Sequence, residues 1–143
     1  MAISYTLLIY EIIEKASKAK TRAEKIKVFH DNDSWALKDL LRGAYDPSVV
    51  WNLPEGDPPY EAADESTVPS NFLKKNTEFR YFVKGGEGDS LPAYKRERLF
   101  ISLLEQIHPK DAELLLKMKD KKQLAKGITK KLVEEAYPRL IRE

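Results

Sequence analysis

Apolar residues at the start of the chain recur at the spacing of a helix face. Between Ile3 and Ala16 they fall every three or four positions, which gives one broad apolar stripe. Thr21 and Glu24 follow with the spacing of a capping box, in which a hydroxyl and a carboxylate satisfy the free amides of a helix start. The second helix is expected to turn three apolar side chains inward, Ala23, Ile26 and Phe29.

A third helix is predicted after Asp33 and Ser34, because either side chain can cap its first turn. Asp46 precedes Pro47, and since the residue before a proline avoids the helical region, the helix should end there. The inner face of this helix is expected to carry Leu37, Leu40, Leu41 and Ala44.

Two longer helical patterns follow in the second half of the chain. One helix is predicted from near Ser70 to the glycine pair Gly85–Gly86, which can adopt the left-handed conformation of a C-terminal cap. Another is predicted from Ser90, with Pro92 in its first turn. The apolar side chains of the first are Phe72, Phe79, Phe82 and Val83, and those of the second are Leu99, Phe100, Leu103, Leu104 and Ile107.

Two shorter helices are predicted near the C-terminus. His108 resembles a cap that is followed by proline at the first helical position, so a helix is expected from Pro109 to about Lys119. Gly127 interrupts the pattern, and Thr129 can cap a last short helix. Because no segment shows strand alternation, the sequence predicts one all-α domain over residues 1–143, with about six or seven helices.

Residues 46–69 differ from the rest of the chain in composition. Five of the eight prolines and six acidic side chains fall here, with no lysine or arginine. Proline continues neither a helix nor a central strand, so the segment is expected to be an extended, acidic surface loop. It is long for a compact domain, and such loops are often functional or mobile.

Charge is segregated along the chain although the net charge is only +2. Seven lysines and one aspartate fall between Lys117 and Lys131. Because salt screens charge over about 10 Å, such a cluster attracts polyanions even on a nearly neutral protein. A second basic run surrounds Thr21 and consists of Lys18, Lys20, Arg22, Lys25 and Lys27. Both runs flank a predicted helix start, where the free backbone N–H groups suit a phosphate.

Few residues of the chain point to catalysis. There is no cysteine, which excludes disulfides and thiolate chemistry, and the two histidines, His30 and His108, lack metal-binding spacing. The glycines at 85–88 lack the lysine of a phosphate-binding loop. The start of the chain lacks a basic signal region, and its longest apolar run is too short for a bilayer. We therefore expect a cytoplasmic, non-enzymatic protein with no cofactor, metal or membrane partner.

The order of these elements resembles the helical N-terminal DNA-binding domain of ATP-dependent DNA ligases, especially those of tailed phages. The resemblance rests on Ile12–Ile13, Lys25–Ile26, Leu37, Leu40–Leu41 and Ala44–Pro47, and on Leu114–Asp120, Gly127–Ile128, Val133 and Pro138–Ile141. It implies a helical module that holds duplex DNA by its phosphates. The nucleotidyl-accepting motif of ligases is absent, Lys121–Lys126 are extra, and Arg139 replaces a glycine. The chain is also similar to small proteins of T4-like marine phages.

These observations predict a sequence-nonspecific, non-enzymatic DNA-binding accessory protein of a phage, acting in the cytoplasm of the infected host. The predicted phosphate contacts are Lys119, Lys121, Lys122, Lys126, Lys130 and Lys131, with Gly127 and Ile128 letting the backbone approach and Lys20, Arg22 and Lys25 as secondary contacts. One alternative is a protein–protein adaptor, in which the 46–69 loop presents Trp51 or Tyr60 to a host or phage replication protein. Another is a virion-associated structural protein.

Overall fold

A computed structural model describes residues 7–64 and 76–141. These ranges contain six α-helices, two 3-10 helices and no strand, which confirms the all-α prediction. Trp51 and Val83 form an isolated antiparallel bridge. The α-helices are α1 Ile9–Lys18, α2 Arg22–Asp31, α3 Trp35–Tyr45, α4 Ala93–Gln106, α5 Pro109–Lys119 and α6 Lys130–Ala136, and the 3-10 helices are Asn76–Tyr81 and Glu87–Ser90.

Four helices begin at the caps that the sequence predicts. The hydroxyls of Thr21, Ser34 and Thr129 accept hydrogen bonds from the backbone N–H groups three residues later. His108 accepts one from the N–H of Lys110, at 3.1 Å, and proline follows it at the first helical position of α5. Each cap satisfies a backbone donor that has no partner within its helix, so local chemistry fixes where these helices start.

Helix α5 contacts three of the other α-helices. It packs against α1, α3 and α4, while α2 packs against α1 and α6. Burial of one large apolar side chain contributes roughly 1.5–3 kcal/mol, so this shared core holds the helices together. The largest fully buried side chains include Phe29, Phe82, Ile13, Leu40, Leu104 and Leu115.

Several details of the predicted helices need correction. Ala23 is exposed in the first turn of α2, and Leu99 is 39% exposed on α4. Arg96, and not Leu99, is buried on α4 together with Phe100. It donates to three carbonyls, those of Asn52, Gly88 and Leu91. Of the helix predicted from near Ser70 to the glycine pair, the described part contains a 3-10 helix, Asn76–Tyr81. The predicted start lies outside the described residues, as does Ile3.

The loop that follows α3 contains no helix over residues 46–64, as its prolines predict, although it turns at 47–48 and bends at 53 and 55–56. It is also fixed to the core near its start. Trp51 is buried, and its indole N–H donates to the carbonyl of Gly43 at 2.9 Å. A Cβ at Gly43 would lie 2.5 Å from the Trp51 ring, so the glycine allows the two to approach. Of the two residues that the adaptor hypothesis names, Trp51 is therefore buried, whereas Tyr60 is half-buried and the hypothesis stays a prediction.

Candidate functional site

The two basic runs, which are far apart in sequence, meet at one corner of the molecule. The hydroxyl of Ser17 donates to the carbonyl of Lys126 at 2.6 Å. A Cβ on Gly127 would lie 3.3 Å from the ammonium of Lys25. Arg22 forms an ion pair with Glu135 on α6, and α2 packs along the same helix. The end of α1 and the start of α2 therefore lie against the turn that precedes α6.

Lys25, at the centre of this corner, is a structural residue. Its ammonium donates to the carbonyls of Ala16, Ser17 and Ala19, at 3.0, 3.0 and 2.9 Å. These carbonyls end α1, where a helix has no further amides to satisfy them. A cation there also matches the negative end of the helix dipole. The prediction that Lys25 contacts phosphate is corrected, because its three donors are in use.

Lys121 has the same role at the end of α3. Its ammonium donates to the carbonyls of Gly43 and Asp46, at 2.6 and 2.7 Å. The backbone of Lys121 is left-handed, with φ of 58°, and this turns the chain back towards α3. Burial lowers the pKa of Lys121, and the nearby charge of Asp46 opposes that shift. Lys121 thus caps another helix with two of its ammonium donors, although the residue itself is exposed. Its DNA contact stays a prediction.

Lys119 lies deeper still, and its side chain is 1% exposed. The ammonium donates to the carbonyls of Pro54 and Gly56, at 3.0 and 2.7 Å, and pairs with Asp120 at 2.8 Å. The other oxygen of Asp120 accepts from the N–H of Gly56 at 3.2 Å. Lys119 and Asp120 therefore clamp the acidic loop to the end of α5, and Lys119 cannot reach a phosphate.

The backbone approach predicted before α6 is also corrected in part. Ile128 is fully buried, and its carbonyl accepts a hydrogen bond from the Tyr45 hydroxyl at 2.5 Å. Thr129 already satisfies the N–H of Leu132, and α6 has seven residues, so its start offers little to an anion. Gly127 is exposed with φ of +80°, and it keeps the turn close to Lys25.

The other predicted contacts remain on the surface, except that Lys130 is half-buried, lines a groove with Lys121 and has an interaction of its own. Arg22 is exposed but paired with Glu135, whose pKa the guanidinium lowers. In the described part of the chain, no carboxylate lies within ion-pair distance of Lys20, Lys122, Lys126 or Lys131. We use the term basic edge for the exposed set, which consists of Lys20, Arg22, Lys122, Lys126 and Lys131.

Trp35 is a surface residue that the sequence analysis missed. It occupies the first helical position of α3, directly after the Ser34 cap, and is 73% exposed. The Lys38 ammonium lies 4.6 Å from the centroid of its ring, and 5.8 Å from that of Tyr137 at the end of α6. The sequence carries one sign of this exposure. Trp35 is apolar but precedes the inner face of α3, which begins at Ala36.

Both histidines serve the fold. His30 is within hydrogen-bond distance of the Ala136 carbonyl, 2.7 Å away, and His108 caps α5 while its ring stacks on Tyr10. Among the described residues, no three histidine, aspartate or glutamate side chains form a group that could hold a metal ion. No helix in the described ranges is long and apolar enough to cross a membrane.

Fold and surface together define a small all-helical protein in which two basic runs meet at the α1–α2 corner. The model of DUF6433, a family of unknown function, matches residues 12–126, and the chain belongs to this family. No curated protein matches the chain. The matched residues include most of the basic edge, whereas Gly127, α6 and Lys131 lie beyond the end of the match.

Proposed function

We propose that this protein binds duplex DNA through the sugar-phosphate backbone, without reading sequence and without catalysing a reaction. The observation that supports the proposal is the meeting of the two basic runs at the α1–α2 corner, through Ser17, Lys25 and Arg22. The resemblance of the chain to the DNA-binding domain of phage ligases points to the same partner. It also suggests an accessory role in phage replication or packaging.

The chemistry of the basic edge suits phosphates better than bases. Lysine is a compact charge on a flexible stem, so it can follow phosphates whatever the base sequence. Each neutralised phosphate releases condensed counterions, which makes the affinity depend on salt. With about four unpaired lysines engaged, the slope of log affinity against log salt should be roughly −3.6.

A fluorescence-anisotropy titration of labelled duplex DNA at several salt concentrations tests the proposal. The informative variant reverses three charges of the basic edge, Lys122→Glu, Lys126→Glu and Lys131→Glu. The matched control reverses three exposed charges that are not part of the basic edge, Lys84→Glu, Lys95→Glu and Arg98→Glu. Both changes lower the net charge by six, from +2 to −4.

The basic-edge variant should lose measurable binding at low salt. The control should keep a salt slope close to that of the wild type, with a smaller loss of affinity. An equal loss in both variants would mean that net charge, and not this corner, attracts the DNA. Absence of wild-type binding at low salt would reject the proposal outright. A sizing column in the same buffer addresses the virion-associated alternative, which predicts a regular oligomer.

A further inference from the structure

A cavity of about 390 Å³ lies between the acidic loop and α4. Residues 53–59, which we call the acidic arch, form its outer wall. Its inner wall is apolar and includes Phe100 and Ile101 of α4. A volume of this size is at the lower end of the range for small-ligand sites, and it also suits one or two side chains of a partner.

Polar contacts hold the acidic arch in its first half and again just beyond its last residue. Lys119 and Asp120 bind the backbone of Pro54 and Gly56. Further along, the N–H of Glu61 donates to a carboxylate oxygen of Glu105 at 2.8 Å. A buried ion pair adds little stability for its desolvation cost, but it can select one conformation. The loop is thus fixed at two points, and residues 53–59 line the cavity.

The charge of the cavity is negative. Glu55, Asp57 and Glu97 line it, and in the described part of the chain no cation lies within ion-pair distance of these three carboxylates. Lys119 also lines the cavity, but its donors are taken by two carbonyls and Asp120. An occupant that complements both the apolar wall and the carboxylates must carry a cation on an apolar stem.

From this combination we infer that the cavity binds an arginine side chain in an extended basic segment of a partner protein. Arginine buries an aliphatic stem while its planar guanidinium pairs with carboxylates, so it fits both features. The exposed carboxylate of Glu61 continues the negative charge along the extended chain beyond the cavity, which favours a peptide over an isolated amine. This site shares no residue with the basic edge, and the inference does not depend on DNA binding.

Fluorescence anisotropy with labelled peptides tests the inference. The probe is a short alanine–leucine peptide with two arginines, and the comparison peptide has glutamine in their place. The arginine peptide should bind the wild type, and its affinity should fall about tenfold in the double variant Asp57→Asn/Glu97→Gln. The matched control, Glu14→Gln/Glu134→Gln, removes two exposed carboxylates outside the cavity and should bind like the wild type.

A second variant, Ile101→Trp, fills the cavity without changing charge and should also lose the peptide. Equal binding of the glutamine peptide would overturn the inference, as would absence of binding at millimolar peptide. Free arginine amide competing as strongly as the peptide would show a small-ligand site instead. Concentration-dependent dimers that disappear in Asp57→Asn/Glu97→Gln would assign the cavity to a second copy of this chain. Each of these last two results, competition by arginine amide or such dimers, would reject binding of a partner protein's arginine.

Discussion

The acidic arch and the basic edge hold their charges in opposite ways. At the arch, Lys119 is buried and every donor of its ammonium has a partner. At the basic edge, Lys122 and Lys126 extend into solvent. All three belong to one lysine-rich run, so lysine density alone does not reveal which residues are available to a ligand. The difference is set by whether carbonyls without helical partners lie opposite the side chain.

Lysine has the reach to satisfy such carbonyls from another segment of the chain. The last carbonyls of a helix have no amide to accept, and a buried carbonyl without a donor is costly. Lys25 meets this need at the end of α1 and Lys121 at the end of α3. Lys119 does the same for the backbone of the arch. The surface that remains for a polyanion is therefore smaller than the sequence suggests.

The largest effect is expected from breaking the clamp of the arch. Lys119→Met leaves Asp120 buried without its cation and two carbonyls without a donor, so the free energy of unfolding should fall by about 3–5 kcal/mol. Lys122→Met in the same run should change it by less than about 0.5 kcal/mol. Urea unfolding of the two variants measures the contrast. Equal, small losses would show that the buried pair does not hold the fold.

A second effect concerns a buried carboxylate that has no cation. Asp111 is 1% exposed; one of its oxygens accepts from the N–H of Tyr10 at 2.8 Å, and the other has no partner. Burial raises the pKa of Asp111 from 3.8 to about 6, with a further increase from Glu11, against the hydrogen bond from Tyr10. The folded chain thus keeps a proton that the unfolded chain releases, and stability should fall as the pH rises through this window.

The expected loss between pH 4 and pH 6 is at most about 3 kcal/mol, since one pKa unit corresponds to about 1.4 kcal/mol. Asp111→Asn should remove it. Other groups titrate too, so the quantity to measure is the difference between the two stability–pH curves from urea unfolding. Exposed pairs such as Lys27–Asp31 cancel in that difference. Parallel curves for the wild type and the variant would contradict the prediction.

The sequence predicts the features of this fold that depend on near neighbours. A hydroxyl three residues before a free amide is enough to identify the caps at Thr21, Ser34 and Thr129. The roles of Lys119 and Lys121 depend instead on carbonyls more than 60 residues away, which no local pattern reports. The same reason explains why Leu99 was predicted on the buried face of α4. Arg96 is buried there instead, and one of its acceptors is the distant carbonyl of Asn52.

The candidate surface was predictable to the same limited degree. Charge clustering singled out two segments, and the structure brings them together at the corner. It could not separate Lys126, which stays exposed, from Lys25, which the carbonyls at the end of α1 bind. The apolar cavity under the arch was not predicted, since its walls come from segments that are about 40 residues apart.

An intermediate effect is expected at the two lysines that cap helices. Lys25→Met and Lys121→Met each remove a cation from helix-terminal carbonyls, which should lower the free energy of unfolding by about 1–2 kcal/mol. Lys126→Met serves as the control from the same surface, with little change expected. Chemical unfolding ranks the three variants. If all three behave alike, the caps contribute no more than ordinary surface lysines.

The smallest contrast compares a glycine from each region. Gly127 of the basic corner and Gly56 of the arch both have positive φ, +80° and +90°. Alanine at either position is strained by about 1 kcal/mol, because a Cβ disfavours the left-handed region. A Cβ at Gly127 would also lie 3.3 Å from the Lys25 ammonium, whereas nothing lies within 4 Å at Gly56.

Gly127→Ala should therefore cost slightly more stability than Gly56→Ala. The excess should disappear when both are measured in a Lys25→Met background, because a shorter side chain leaves room for the new methyl group. Urea unfolding of the wild type, Gly127→Ala, Lys25→Met and the double variant gives the coupling free energy between Gly127 and Lys25 directly. A coupling near zero would mean that Lys25 moves away freely, and the corner would then be held by Ser17 and Arg22 rather than by Lys25.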